Sequence, residues 1–221
     1  MIAISSFRPL DDSEEVLENQ LRAKASWEVA FDAIVYFNEE EPRLASPKTV
    51  FIPWSAWPPI KILMEFAGQQ DGWSAIINAD VVVDPNLRIV EASLIQKNAY
   101  AALSRRYQFE RGKPLPKTGD VTPHDNGLDW FAGTPEFWEY AANECPAQFK
   151  IGKILWDTWL MVLMAQVCGP ACYDITPCRT VFHPKHGGRR EQNIEAPKDD
   201  RLNLRIWPAR TLTLRDLRNT V

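Results

Sequence analysis

Apolar positions in the first 84 residues come as short unbroken runs, set between longer stretches in which they recur every three or four residues. Residues 2–7 (IAISSF) are such a run, closed by Arg8-Pro9, and predict a first strand. Residues 11–31 follow with acids in the first turn, Asp12 and Glu15 at capping-box spacing, and Leu17, Leu21 and Ala25 four apart, which predicts a helix. Residues 33–38 (AIVYFN) and 48–54 (KTVFIPW) predict the next two strands, the first of them ending in the acidic loop Glu39-Glu40-Glu41-Pro42. After SAWPPI, residues 60–69 read as a helix that Pro58 and Pro59 can only start. Residues 73–84 (WSAIINADVVVD) predict a fourth strand. Strands apolar on both faces and alternating with helices imply βαβ units in a mostly parallel, covered sheet.

The remainder is less regular. Residues 86–103 read as helical, residues 104–110 (SRRYQFE) as an edge strand, and residues 111–127 as a turn-rich loop. Residues 128–144 mix a strand start with a short helix, residues 154–167 form an apolar helix, and residues 173–188 give a final strand and loop. There is no internal repeat and no low-complexity segment. The expectation is one Rossmann-like α/β domain, a central mostly parallel sheet flanked by helices, with an irregular C-terminal tail. The domain is drawn over residues 1–190 and the extension over 191–221.

Composition narrows the partners. The net charge of −4 gives no global field for nucleic acid, yet residues 189–221 carry seven Arg and one Lys against five acids, a local surplus of three. Such a tail is either solvated or in contact with an anionic partner. Cys145, Cys168, Cys172 and Cys178 follow no secreted disulfide framework, and their spacing to His183 and His186 matches no common zinc finger, so reduced thiols are expected. MIAISSFRPL lacks a basic start and a long apolar core, and the longest apolar run contains Asp157 and is too short for a bilayer. A soluble, intracellular, cytoplasmic protein is expected.

Three places stand out chemically. Asn78 and Asp80 interrupt the fourth apolar run, where an unpaired buried charge would cost several kcal/mol. Ligands of open α/β sheets bind beyond the carboxyl ends of the strands, so Asp80 either faces that crevice or caps a loop or pairs with an arginine. In VFHPKHGGRR, His183 and His186 precede two glycines and two arginines; a divalent-metal site beside a phosphate and a plain polar turn both fit. Asp157 in LWDTWL and Asp129 in NGLDWFAG are acids in aromatic settings, either candidate general bases or helix caps.

The order of SSFR after strand one, an acidic loop after strand two, INAD after strand four, then GLDWF, WDTWL and FHPKH resembles the GT-A glycosyltransferases, the nucleotide-diphospho-sugar transferase superfamily, over about residues 1–190. The resemblance implies a transferase that moves a sugar from a nucleotide-diphosphate sugar, such as a UDP-sugar, to an acceptor hydroxyl with Mn²⁺ or Mg²⁺. It puts residues 78–80 at the DxD metal motif, with Asp80 as metal ligand and Asn78 in place of the first acid. His183 or His186 would complete the metal site, His186 being preferred. Ser5, Ser6, Arg8, Asn38 and Glu39 would meet the nucleotide, Asp157 would deprotonate the acceptor, and Asp129 would lie near donor sugar and acceptor. Glycans, lipid-linked sugars, proteins and small molecules all suit as acceptor, and the basic tail with Trp207 also permits a hydroxylated base in modified DNA. The rivals are a scaffold that keeps the fold without catalysis, favoured by Asn78, a nucleotidyltransferase, and a metal-dependent phosphoesterase.

Overall fold

A computed structural model describes residues 1–10, 13–54, 57–116, 123–151 and 156–185, with the side chains of 124–126 excepted. His186 and the whole basic extension lie outside the described residues.

Four parallel strands build one half of the sheet. β1 (Ile2–Ser5) pairs with β2 (Ala33–Tyr36) on one side and β4 (Ser74–Ile77) on the other, and β3 (Thr49–Phe51) lies outside β2. β7 (Pro123–Gly133) runs antiparallel to β4, and β6 (Ala101–Phe109) antiparallel to β7, which brings β6 back to the direction of β4. β8 (Cys172–Asp174) and β9 (Val181–Pro184) lie end to end along β6, both parallel to it, and β5 (Val82–Val83) closes the order antiparallel to β9. Five of the eight strand pairings among the described residues are therefore parallel, as expected for a sheet built mostly from βαβ units.

Helices cover both faces, so each strand alternates between two cores. α1 (Glu14–Ala30) and α3 (Leu87–Gln96) cover one face, where Ala3, Ile34, Tyr36, Ala75 and Ile77 pack with Trp27 and Leu94. α2 (Ile60–Gly68), α4 (Pro135–Glu144) and α5 (Trp156–Val167) cover the other, where Ile4, Val35, Ile76 and Phe131 pack with Leu63, Trp138 and Leu160. The first helix is capped by Ser13, whose hydroxyl accepts from Val16 N at 3.1 Å, one residue after the expected Asp12. Its buried residues are Asn19, Gln20, Ala23, Trp27 and Ala30, while Leu17 and Leu21 are only partly buried; the Trp27 indole donates to the Val81 carbonyl at 2.7 Å.

Three expectations change. The fourth apolar run is not one strand: it breaks after Ile77, turns with Val81 N donating to Asn78 O at 3.1 Å, and resumes as β5. Residues 104–110 do not form an edge strand; 104–109 belong to β6, inside the sheet. The helix expected over 86–103 ends at Gln96, where Asn98 takes the left-handed conformation (φ 51°) that Asn tolerates, and the chain enters β6.

β6 and β7 fall out of register at one point. Ser104 faces Trp130, but Arg105 faces Leu128, so Asp129 is an extra residue in β7, and pairing is regained only at Tyr107 opposite Pro123. Leu128 consequently packs on the α5 side while Trp130, two residues on, packs on the α1 side. Leu103 and Tyr107 are split in the same way. A bulge of this kind bends a strand and re-aims its side chains.

Candidate active site

The carboxyl ends of β1, β2, β4, β6 and β9 share one edge of the sheet, because these strands all run the same way. Asp80 sits in the turn that ends β4, and His183 sits in β9 opposite Gln108. Their side chains meet at 3.3 Å, Nε2 to Oδ2, with the imidazole buried and the carboxylate 28% exposed. Burial pulls the His183 pKa down, but the charge and hydrogen bond of Asp80, with the charge of Asp129 behind it, outweigh that and hold it above the ordinary value. Asp80 thus interrupts the apolar run because the strand has already ended, and the acid has an imidazole to face.

A second group adjoins the first. Asp129, buried, receives the Asn78 amide on Oδ1 and Arg106 Nη1 on Oδ2, each at 2.6 Å. Asn78 N also donates to the Asp129 carbonyl at 3.1 Å, extending the β4–β7 ladder by one bond. Asp157, in the first turn of α5, is partly buried; its Oδ1 accepts from Thr158 N at 2.8 Å. Burial pushes the Asp157 carboxyl up to about 6, the Asp129 charge adding to the effect and the Thr158 hydrogen bond and Arg106 opposing it. A carboxyl with that pKa is mostly ionised at neutral pH yet basic enough to take a proton.

The other expected residues lie along the same edge without joining this cluster. Ser5 donates its hydroxyl to the Ile77 carbonyl at 2.6 Å, tying β1 to β4. Ser6 is buried and its hydroxyl has no hydrogen-bond partner among the described residues. Asn38 binds the Phe7 backbone in both directions, at 2.9 and 3.0 Å, and Gln20 does the same for Arg8, whose side chain is exposed. Glu39 is exposed. His186 lies outside the described residues, among which no three His, Cys, Asp or Glu side chains converge as a metal site. Asp80 and His183 offer one carboxylate oxygen and one imidazole nitrogen, a donor pair that suits Mn²⁺ or Mg²⁺ when substrate phosphates and water supply the remaining ligands.

Sequence reasoning missed Arg106. The available signal was Arg105-Arg106 inside a strand-like run, where alternation puts one of two neighbouring charges on a covered face.

No protein-family model matches the chain, and no curated protein matches it in sequence. Among solved structures, S. aureus TarS 1-349 in complex with UDP-GlcNAc superposes with a TM-score of 0.50 at 9% identity, covering 93% of this chain. The chain spans 64% of the length of that structure. UDP-glucose pyrophosphorylase complexed with UDP-glucose aligns with a TM-score of 0.40 at 8% identity, over 64% of this chain and 79% of its own. The likeness to TarS is one of fold alone, a Rossmann-like α/β sheet flanked by helices. No helix among the described residues is long and apolar enough to cross a membrane.

Proposed function

We propose that this chain is a metal-dependent glycosyltransferase that moves a sugar from a nucleotide-diphosphate sugar to an acceptor hydroxyl. The observation that carries the reading is the Asp80–His183 contact of 3.3 Å at the carboxyl edge of the sheet; Asp157, pushed up to about 6, feels the charge of Asp129, as His183 does. TarS, with the same fold, is in complex with UDP-GlcNAc, which makes a UDP-sugar the first donor to try.

Asp80 and His183 would hold Mn²⁺ or Mg²⁺, with His186 as the further histidine. The ion, when bound, offsets the charge that builds on the departing diphosphate. Ser5, Ser6, Arg8, Asn38 and Glu39, at the ends of the first two strands, would line the nucleotide. Asp157 accepts the proton of the acceptor hydroxyl as the sugar transfers, a contribution of roughly 10²–10⁴-fold. Both oxygens of Asp129 are taken up by Asn78 and Arg106, so Asp129 serves as a fixed charge beside the donor sugar.

Calorimetric titration tests this with UDP, GDP, UDP-GlcNAc, UDP-glucose and GDP-mannose, with and without Mn²⁺, on wild type and Asp80→Ala. Metal-dependent binding of one nucleotide, lost in the variant, supports the donor site. No binding of any of them argues for a fold kept without catalysis, and pyrophosphate release in a turnover assay points to nucleotidyl transfer instead. The extension at 191–221, outside the described residues, is proposed to contact the acceptor, and removal of residues 192–221 without any change in transfer kinetics would end that idea.

A further inference from the structure

Three features of separate origin converge on the Arg106 guanidinium. The first is the register break between β6 and β7, which turns Arg106 and the extra residue Asp129 toward each other. In an unbroken β6, Arg106 would share a face with Ala102, on the α1 side; with Tyr107 on that side instead, Arg106 falls to the side where α5 carries Asp157. The second is Gly127. A Cβ built there would lie 2.5 Å from Arg106 Nε and 2.9 Å from its Cγ, so the arginine stem occupies the space that any other residue at 127 would fill. The third is solvation: Arg106 Nε is buried with no hydrogen-bond partner among the described residues, and the Arg106 side chain is only 22% exposed. A half-desolvated cation in this position needs its one carboxylate.

Asp129 in turn determines how Asn78 lies. An ionised carboxylate only accepts hydrogen bonds, so the amide must present its nitrogen to Asp129. The Asn78 side-chain oxygen, which accepts no hydrogen bond among the described residues, is left at the other end of the group, next to the turn that carries Asp80.

We infer that Arg106 is a positioning residue: by fixing the Asp129 carboxylate it holds the Asn78 amide in one orientation, with its oxygen available to a hydroxyl of the ligand bound beside Asp80. That this ligand is a nucleotide sugar rests on the function proposed above; the Arg106–Asp129–Asn78 coupling does not.

The test uses the full chain and a signature of Asn78 itself. In amide NMR, the side-chain NH₂ of Asn78, assigned by its loss in Asn78→Ser, should exchange slowly in wild type. It should become an ordinary exposed amide in Arg106→Gln and stay protected in Arg106→Lys, which keeps the charge. Gly127→Ala, which displaces the arginine without removing it, should loosen the amide as well and serves if Arg106→Gln does not fold. UDP-GlcNAc titrated with Mn²⁺ should bind about tenfold more weakly to Arg106→Gln than to wild type, in line with the loss of a charge-assisted hydrogen bond. An Asn78 amide unchanged in Arg106→Gln or Gly127→Ala overturns the inference, whether or not UDP-GlcNAc binds. An amide released in these variants, with no UDP-GlcNAc bound by wild type, upholds the coupling and counts against the donor reading alone.

Discussion

The Asn78 amide donates to Asp129 over 2.6 Å, so the first position of the Asn-Ala-Asp turn holds a buried carboxylate without adding a second charge. An aspartate at 78 would place two carboxylates across that gap. Completing the Asp-x-Asp pattern by Asn78→Asp should therefore harm the protein, costing about 1–3 kcal/mol at neutral pH through like charge and a lost hydrogen bond. The cost should shrink as pH falls, because a proton shared between the two carboxyls restores a bond. Urea unfolding at pH 5 and pH 7.5 measures it, and an Asn78→Asp variant as stable as wild type, with tighter Mn²⁺-dependent donor binding, would contradict it.

Asp157 should trade stability for chemistry. Its carboxyl, near 3.8 when unfolded and about 6 in the fold, opposes folding when ionised: the penalty is complete above pH 6, falls as pH drops toward 4 and is absent below. Asp157→Asn keeps an oxygen for Thr158 N and removes the buried charge, so it should raise stability at pH 7.5 by up to about 3 kcal/mol and change it little at pH 4. Transfer activity should fall at least about 10²-fold. Thermal melts at both pH values, paired with a turnover assay, check the two halves.

Manganese should stabilise the chain through Asp80 and His183. Ligand at 100 times its dissociation constant adds about 2.7 kcal/mol. A metal takes the neutral imidazole, and Asp80 holds the His183 pKa above its ordinary value, so the shift in Tm should be larger at pH 8 than at pH 6. Asp80→Ala and His183→Ala should each abolish it; a shift that survives both would move the metal elsewhere.

Gly127→Ala should cost about 1–3 kcal/mol, since the new methyl must push an arginine stem that is pinned at Nη1 by Asp129. The cost should largely vanish in an Arg106→Ala background. Denaturant unfolding of the two single variants and the double variant gives the coupling, and simple additivity would show that the methyl is accommodated without moving Arg106.

The parallel half of the sheet was legible because its strands are apolar on both faces and its helices announce themselves through caps and prolines. Asp80 and His183 were legible as an acid and an imidazole just past apolar runs. The polar run at 104–110 misled, since polarity in a strand ordinarily means an open edge. Here it comes from a central strand whose arginine is matched by an acid some twenty residues later, a pairing set by a register break that no local pattern encodes. Arg106 and the hydrogen-bonded role of Asn78 were hidden for the same reason.

Parity is what the extra residue at 129 alters. Every residue added to a strand exchanges its two faces, so from Trp130 onward β7 is offset by one step from Leu128. Trp130 is fully buried toward α1 and Phe131 fully buried toward α5 because of that offset. Removing Asp129 would set Leu128 next to Trp130 on opposite faces and even out the ladder with Trp130 and Phe131 still in their layers, at the cost of the carboxylate that binds Asn78 and Arg106. A relative one residue shorter here should keep both rings in place.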